Sequence, residues 1–181
     1  MTDNMTRVMN QVNAMTVDEL RTRLAEYMAS DEQLQPQPVG VEVRLSCIGG
    51  RAGRYDVLLL MDDGTEKEVK FRDRYSRLVY IYTLMHPQGY QRRFLQTADY
   101  RELRQLYSQL YFAPAEPLVK TIGTDFDHFF SQSVAQSRVA IRQADSHAQA
   151  FEIASPKQHA GKTLIPAAAN TDNILIDNSL A

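Results

Sequence analysis

The segment spanning residues 75–85 constrains the fold most, because its apolar side chains cover nearly the whole circumference of a helix. These residues are Tyr75, Leu78, Val79, Tyr80, Ile81, Tyr82, Leu84 and Met85. A helix that is apolar nearly all round is buried in the centre of its domain. Pro87 and Gly89 predict where it ends. We therefore expect a central helix with the other elements packed around it.

A second helix is predicted near the start of the chain by the segment "TVDELRTRLAEYM". Thr16 and Glu19 have the spacing of a capping box, in which each side chain satisfies a free backbone N–H of the other residue. Leu20, Leu24 and Tyr27 would line one face. The proline-containing segment "SDEQLQPQP" then predicts a linker. The apolar stripe needs a cover, so we expect this helix to contact a protein partner or a second copy of the chain.

Three strands are predicted between the linker and the central helix. The segment "VEVRLSCI" alternates apolar and polar residues, which is typical of a strand with one solvated face. The segments "YDVLLLM" and "KEVKF" predict two more strands, with a turn at "DDG" between them. The glycines of "CIGGRAGRYD" predict a bulged hairpin turn between the first two. Together these segments indicate a three-stranded antiparallel meander.

Three further patterns follow the central helix. The segment "YQRRFL" predicts a brief strand or an extended link, and "DYRELRQLYSQLY" predicts a helix capped by Asp99. A loop is expected from "APAEP" to about Gly123, and a third helix over residues 125–144. The segments "AFEI" and "TLI" predict two strands flanking the loop "ASPKQHAGK". The tail "NTDNILIDNSLA" fits either a short strand or an irregular end. The predicted fold class is α+β.

The order of these elements, with "SRLVYIYTLMHPQG" as first helix and "SQSVAQSRVAIRQA" as recognition helix, resembles the winged-helix effector domain of two-component response regulators. The resemblance covers roughly residues 40–166. It implies a helix-turn-helix whose third helix enters the DNA major groove and a hairpin that forms the wing. The sequence departs from that family at "LIPAAAN", where a Gly-containing aromatic signature is usual. We also expect one helix, rather than a receiver domain, in the residues before position 40.

Residues 75–165, with "HPQGY" and "DYREL", also resemble a family of uncharacterised bacterial proteins. On these grounds we divide the chain into three parts. Residues 1–35 hold the first helix and the linker, residues 36–71 the meander, and residues 72–181 the winged-helix-like domain with its tail.

Charge adds one hint about partners. The whole chain has a net charge of −2, but residues 72–142 contain 10 Lys+Arg and 6 Asp+Glu. A locally basic segment is compatible with an anionic partner. If the chain binds DNA, its arginines would contact phosphates or guanine edges, a glutamine would contact adenine, and the hairpin lysines would contact backbone phosphates. Its candidate residues are Ser131, Gln132, Arg138, Arg142, Lys157 and Lys162.

The sequence motifs that would indicate catalysis or cofactor binding are missing or incomplete. We therefore predict no catalytic, metal-binding or cofactor-binding residues and no small-molecule ligand. The single cysteine, Cys47, allows neither an internal disulfide nor a cysteine zinc cluster. No histidine pair has i, i+4 spacing and no G-x-S-x-G elbow is present. In "AGKT", Pro156 stands where a phosphate-binding loop needs glycine.

Two functional hypotheses remain open, and an enzyme is a distant third. One is a non-catalytic protein-interaction or regulatory module. The other is a DNA-binding transcriptional regulator that uses the helix over residues 125–144. The sequence has no signal peptide and no apolar run of roughly 20 residues, so we expect a cytoplasmic protein without a membrane partner.

Overall fold

The computed structural model describes residues 16–33, 35–48, 51–95, 100–123, 125–159 and 161–180, and they form an α+β structure, as predicted. The chain separates into two compact units, Met1–Pro36 and Gln37–Ala181. The predicted meander and the predicted helical part both lie in the second unit, where strands and helices share one core.

The first unit contains helix α1, Val17–Gln33. Its predicted capping box is confirmed. The backbone N–H of Thr16 donates to the Glu19 carboxylate at 2.8 Å, and the N–H of Glu19 donates to Thr16 Oγ1 at 3.3 Å. The apolar side chains of Val17, Leu20 and Leu24 on this helix are exposed.

The predicted meander is confirmed as strands β1 (Pro38–Ile48), β2 (Arg51–Met61) and β3 (Glu66–Glu68), paired antiparallel. Val41 and Val43 on β1 are fully buried, whereas Arg44 lies on the opposite face and pairs with Glu42 and Glu66. This alternation gives the sheet one apolar and one charged face. The turn predicted at Gly49 and Gly50 lies outside the described residues.

Helix α2, Arg74–Met85, is the central helix that the sequence predicts. The Asp73 carboxylate caps it by accepting the N–H groups of Tyr75 and Ser76, both at 2.8 Å. Nearly every side chain from Leu78 to Leu84 is buried. Full burial of one aliphatic side chain contributes about 1.5–3 kcal/mol, so this helix supplies much of the stability of the core.

The helices that follow α2 differ from the prediction at two places. Arg92–Leu95 forms a short helix, α3, where an extended link was expected. Glu116–Ile122 forms helix α5 where a loop was expected, because Pro117 occupies the first helical turn, which tolerates proline. Helices α4 (Arg101–Tyr111) and α6 (Phe126–Ala144) match their predictions and pack on α2. The predicted cap Asp99 lies outside the described residues.

The chain after α6 forms the predicted hairpin with different bounds. Of the segment expected as its first strand, residues 150–153, the first half lies in the 3-10 turn Ala148–Phe151, whereas Ile153 bridges to Ala167. Strand β4 (Lys157–His159) lies within the expected loop, and strand β5 (Lys162–Leu164) overlaps the expected second strand "TLI". The tail then adds strand β6, Ile174–Ile176, which pairs parallel to β1. The sheet order is β3-β2-β1-β6, so the meander gains a fourth strand.

Candidate functional site

The six predicted site residues lie on two elements. Ser131, Gln132, Arg138 and Arg142 belong to α6, whereas Lys157 and Lys162 belong to the β4–β5 hairpin. The two elements are joined by the 3-10 turn and residues 152–156. The fold thus brings helix and hairpin into succession, as the sequence indicated. The side-chain contacts decide which of these residues can meet a partner.

Helix α6 has one buried face and one exposed face. The Asp125 carboxylate caps its start by accepting the N–H of His128 at 2.8 Å. Its buried residues pack into the core and are Phe126, Phe129, Phe130, Ser133, Ser137, Ala140 and Ile141. Ser131, Gln132, Ala135 and Val139 are exposed on the other side. This exposed side of α6 is therefore accessible to a partner.

Arg142 is bound to a carboxylate of the same chain. Its Nε and Nη2 donate to the two carboxylate oxygens of Glu152 at 2.6 and 3.0 Å. This is the bidentate geometry that would otherwise serve a phosphate or a guanine edge. The pairing raises the pKa of Arg142, since hydrogen bonds to the carboxylate favour the charged guanidinium. Glu152 is buried, so the pair fastens the end of α6 to the base of the hairpin.

Arg138 is also engaged within the chain. Its Nε donates to the carbonyl oxygen of Ile153 at 3.0 Å, and the side chain is partly buried. Ile153 bridges to Ala167 at the base of the hairpin. Both predicted arginines thus bind one short segment, residues 152–153. Their contacts have a structural role there.

Gln132 lines a polar cavity of about 350 Å³ between the start of α2, α5 and α6. Arg72, Thr121 and Gln136 line the same cavity. The Oε1 atom of Gln136 is buried and has no hydrogen-bond partner among the described residues. Ser131 is exposed outside this cavity. The two neutral candidate residues therefore have different surroundings.

Lys157 and Lys162 share one face of the hairpin. Lys157 pairs with Leu164 and His159 pairs with Lys162 in the strand register, and directly paired residues lie on the same face. Gln158 and Thr163 lie on the other face, where their side chains are joined by a 2.9 Å hydrogen bond. Both lysines are exposed and form no ion pair with any described residue.

The sequence reasoning missed two groups of residues. It did not foresee Glu152 as the partner of Arg142. It also passed over Arg101, Arg104 and Lys120 on α4 and α5, which form no ion pair or hydrogen bond with any described residue. The basic excess of residues 72–142 was the signal that pointed to them, but it did not say which cations stay unpaired.

The described part of the chain offers neither a cluster of metal ligands nor a membrane-spanning helix. It holds no group of three or more His, Cys, Asp or Glu side chains placed to bind a metal ion. None of its helices has the length and apolar composition that crossing a bilayer requires. A scan against models of protein families, a search of curated proteins and a search of solved structures each found no match to this chain.

Proposed function

We propose that the chain is a non-catalytic protein-interaction or regulatory module with a winged-helix-like arrangement. The arrangement is supported by the succession of α2, α4 and α6 followed by a β-hairpin. It is also supported by Tyr90, which bridges to Ile165 beside the hairpin and so adds a third extended segment there. A fold alone does not assign a function, so the proposal depends on the surface of α6.

The observation that carries the proposal is the internal engagement of Arg138 and Arg142. A helix that reads DNA needs free donors for base edges and phosphates. Here Glu152 and the Ile153 carbonyl already accept from the two arginines. What α6 presents to a partner is a face with the uncharged residues Ser131, Gln132 and Ala135 beside Val139, which is 52% exposed. The centre of a protein–protein interface is depleted of charge in the same way.

The test compares protein and DNA partners of the full chain. The chain is photo-cross-linked in its own cells through a probe on the exposed α6 face, and cross-linked proteins are identified by mass spectrometry. We expect a reproducible protein partner that nuclease treatment does not remove and that Val139→Glu abolishes. Ser131→Glu, which adds the same charge outside the apolar position, is the matched control and should reduce the cross-link less. Absence of any protein cross-link would contradict the proposal.

DNA binding is the second candidate, and the hairpin favours it. Lys157 and Lys162 form no ion pair with a described residue and lie on one face, as phosphate-contacting residues would. If DNA is bound, affinity should fall steeply with salt, because each neutralised phosphate releases counterions. A mobility-shift titration with random duplex fragments decides. Non-specific DNA binding has a dissociation constant of roughly 10⁻⁴–10⁻⁶ M at physiological salt and is tighter at low salt. The titration is therefore done at low salt, and the absence of a shifted band at micromolar protein rejects this candidate.

A further inference from the structure

Helices α4 and α5 border a groove that none of the predicted site residues lines. Two cavities of about 530 Å³ and 380 Å³ lie along it. Arg104 and Glu116 line both cavities, so the two are parts of one depression. We call it the α4–α5 groove, and its residues used below are Tyr100, Arg101, Arg104, Glu116, Val119 and Lys120.

The groove is cationic. Among the described residues, Arg101, Arg104 and Lys120 line it together with one carboxylate, that of Glu116. None of the three cations forms an ion pair or hydrogen bond with a described residue. Elsewhere in the same basic stretch, Arg92 pairs with Asp127 at 2.7 Å. The positive excess of residues 72–142 is thus available to a partner chiefly at this groove.

The groove also has an apolar side. Val119 on α5 is 37% exposed, so its side chain can contact a partner. The ring of Tyr100 is partly exposed and is held in place by stacking on Phe126, with ring centroids 5.4 Å apart. The cavity between them offers mainly apolar surface. A partner therefore meets an apolar contact flanked by free cations.

We propose that the α4–α5 groove binds an acidic segment of a partner protein. An apolar side chain of that segment packs against Tyr100 and Val119. Its carboxylates pair with Arg101, Arg104 and Lys120, where bidentate pairing with the arginines adds specificity. This inference rests on the proposed function as an interaction module, and it names the site and the chemistry of the partner.

A nucleic acid fits the groove less well than an acidic peptide. The Glu116 carboxylate lines both cavities and would repel the phosphates of a nucleic-acid backbone. The exposed side chain of Val119 offers a phosphate backbone no hydrogen bond. A peptide matches both features, since it combines apolar side chains with carboxylates and can place a backbone N–H near Glu116.

The experiment selects ligands from a random short-peptide library displayed on phage, with the full chain immobilised. We expect the enriched peptides to combine several Asp or Glu residues with a large apolar residue. The dissociation constant of a selected peptide is then measured by fluorescence anisotropy. It should rise with ionic strength, because salt screens pairs between exposed charges.

Charge-reversal variants locate the site. Arg104→Glu should raise the dissociation constant of the selected peptide by about tenfold or more, since it removes one attraction and adds a repulsion. Arg72→Glu makes the same change of net charge outside the groove, at an arginine that forms no ion pair or hydrogen bond with a described residue. It should weaken binding of the peptide less than about threefold. Lys120→Glu on α5 repeats the test should Arg104→Glu fail to fold, which circular dichroism shows.

The outcomes separate the groove from the proposed function. Peptides without an acidic excess, equal binding by Arg104→Glu and Arg72→Glu, or no enrichment at all would each overturn the groove assignment. If Val139→Glu abolishes binding while Arg104→Glu does not, the chain is an interaction module that uses α6 instead. If the cross-linking finds no protein partner and duplex DNA binds, the proposed function falls as well.

Discussion

Asp145 shows how single side chains fasten the end of α6 to the sheet. Its Oδ2 accepts from Lys67 Nζ at 2.6 Å, and its Oδ1 accepts from the His147 backbone N–H at 2.8 Å. The side chain is only 6% exposed. A carboxylate in such a position needs these partners, because an unpaired buried charge is strongly destabilising.

We expect Asp145 to make stability depend on acid pH. Burial opposes its ionisation, but the hydrogen bonds from Lys67 and His147 outweigh burial and hold the pKa of Asp145 below its usual value. Its stabilisation is therefore present above the unfolded pKa and is lost as pH falls through the folded pKa. Asp145→Asn should cost about 1–2 kcal/mol at neutral pH. In urea unfolding, the free energies of unfolding of the wild type and of Asp145→Asn should converge as pH falls from neutral to about pH 3. Parallel pH profiles would contradict this.

Phe112 ends α4 in the left-handed region, at φ 49°, and its ring stacks on Tyr55 with centroids 6.2 Å apart. A non-glycine residue there costs about 1–2 kcal/mol of backbone strain. Phe112→Gly and Phe112→Ala both remove the ring, so their difference isolates the strain. We expect the glycine variant to be about 1 kcal/mol more stable by chemical denaturation. Equal stability of the two would show that the conformation relaxes on substitution.

At this scale the sequence predicted which residues line α6 but not their contacts. Gln132 and Arg142 are exposed on this helix and Arg138 is partly buried. Helical periodicity could not reveal that Glu152 returns beneath Arg142, because that contact depends on the 3-10 turn after the helix. Periodicity describes a helix face, whereas pairing depends on the tertiary path of the chain.

Among the elements, α2 carries the largest share of the core. Leu78 is fully buried, and the helix that carries it packs on α4 and α6. We expect Leu78→Ala to lower the free energy of unfolding by about 2–5 kcal/mol, through lost burial and the cavity that remains. Val139→Ala removes apolar atoms from an exposed position, so it should change the free energy of unfolding by less than about 0.5 kcal/mol. An unchanged denaturation midpoint for Leu78→Ala would refute the central placement of α2.

Elements with strong periodicity were predicted well, and elements fixed by tertiary contacts were not. The apolar patterns of α2, α4 and β1 are visible in sequence because burial imposes them locally. Helix α5 was missed because a loop was expected from "APAEP" onward, although proline suits a first helical turn. Strand β6 was left open because three residues give too short a pattern, and its strand geometry depends on pairing with β1.

The whole molecule divides at Pro36 into two compact units. Deletion of residues 1–36 should therefore leave Gln37–Ala181 with cooperative unfolding and a stability within about 0.5 kcal/mol of the full chain. Chemical denaturation measures this, and light scattering reports the mass in solution. Fewer chains per particle after deletion, calculated from the mass of each protein, would assign self-association to α1, whose apolar residues are exposed. Loss of the cooperative transition would show that α1 is needed for folding.

The pairing of β1 with β6 sets the order in which the sheet is completed during translation. Leu45 donates to Asp177 across 132 residues of sequence. At roughly 5–20 residues per second, one edge of β1 stays without its partner strand for on the order of ten seconds after β1 is synthesised. An open strand edge can pair with another chain. Neighbouring nascent chains on one messenger RNA are therefore most prone to aggregate in this interval. A ribosome that stalls before Ile174 would leave the free edge of β1 open permanently.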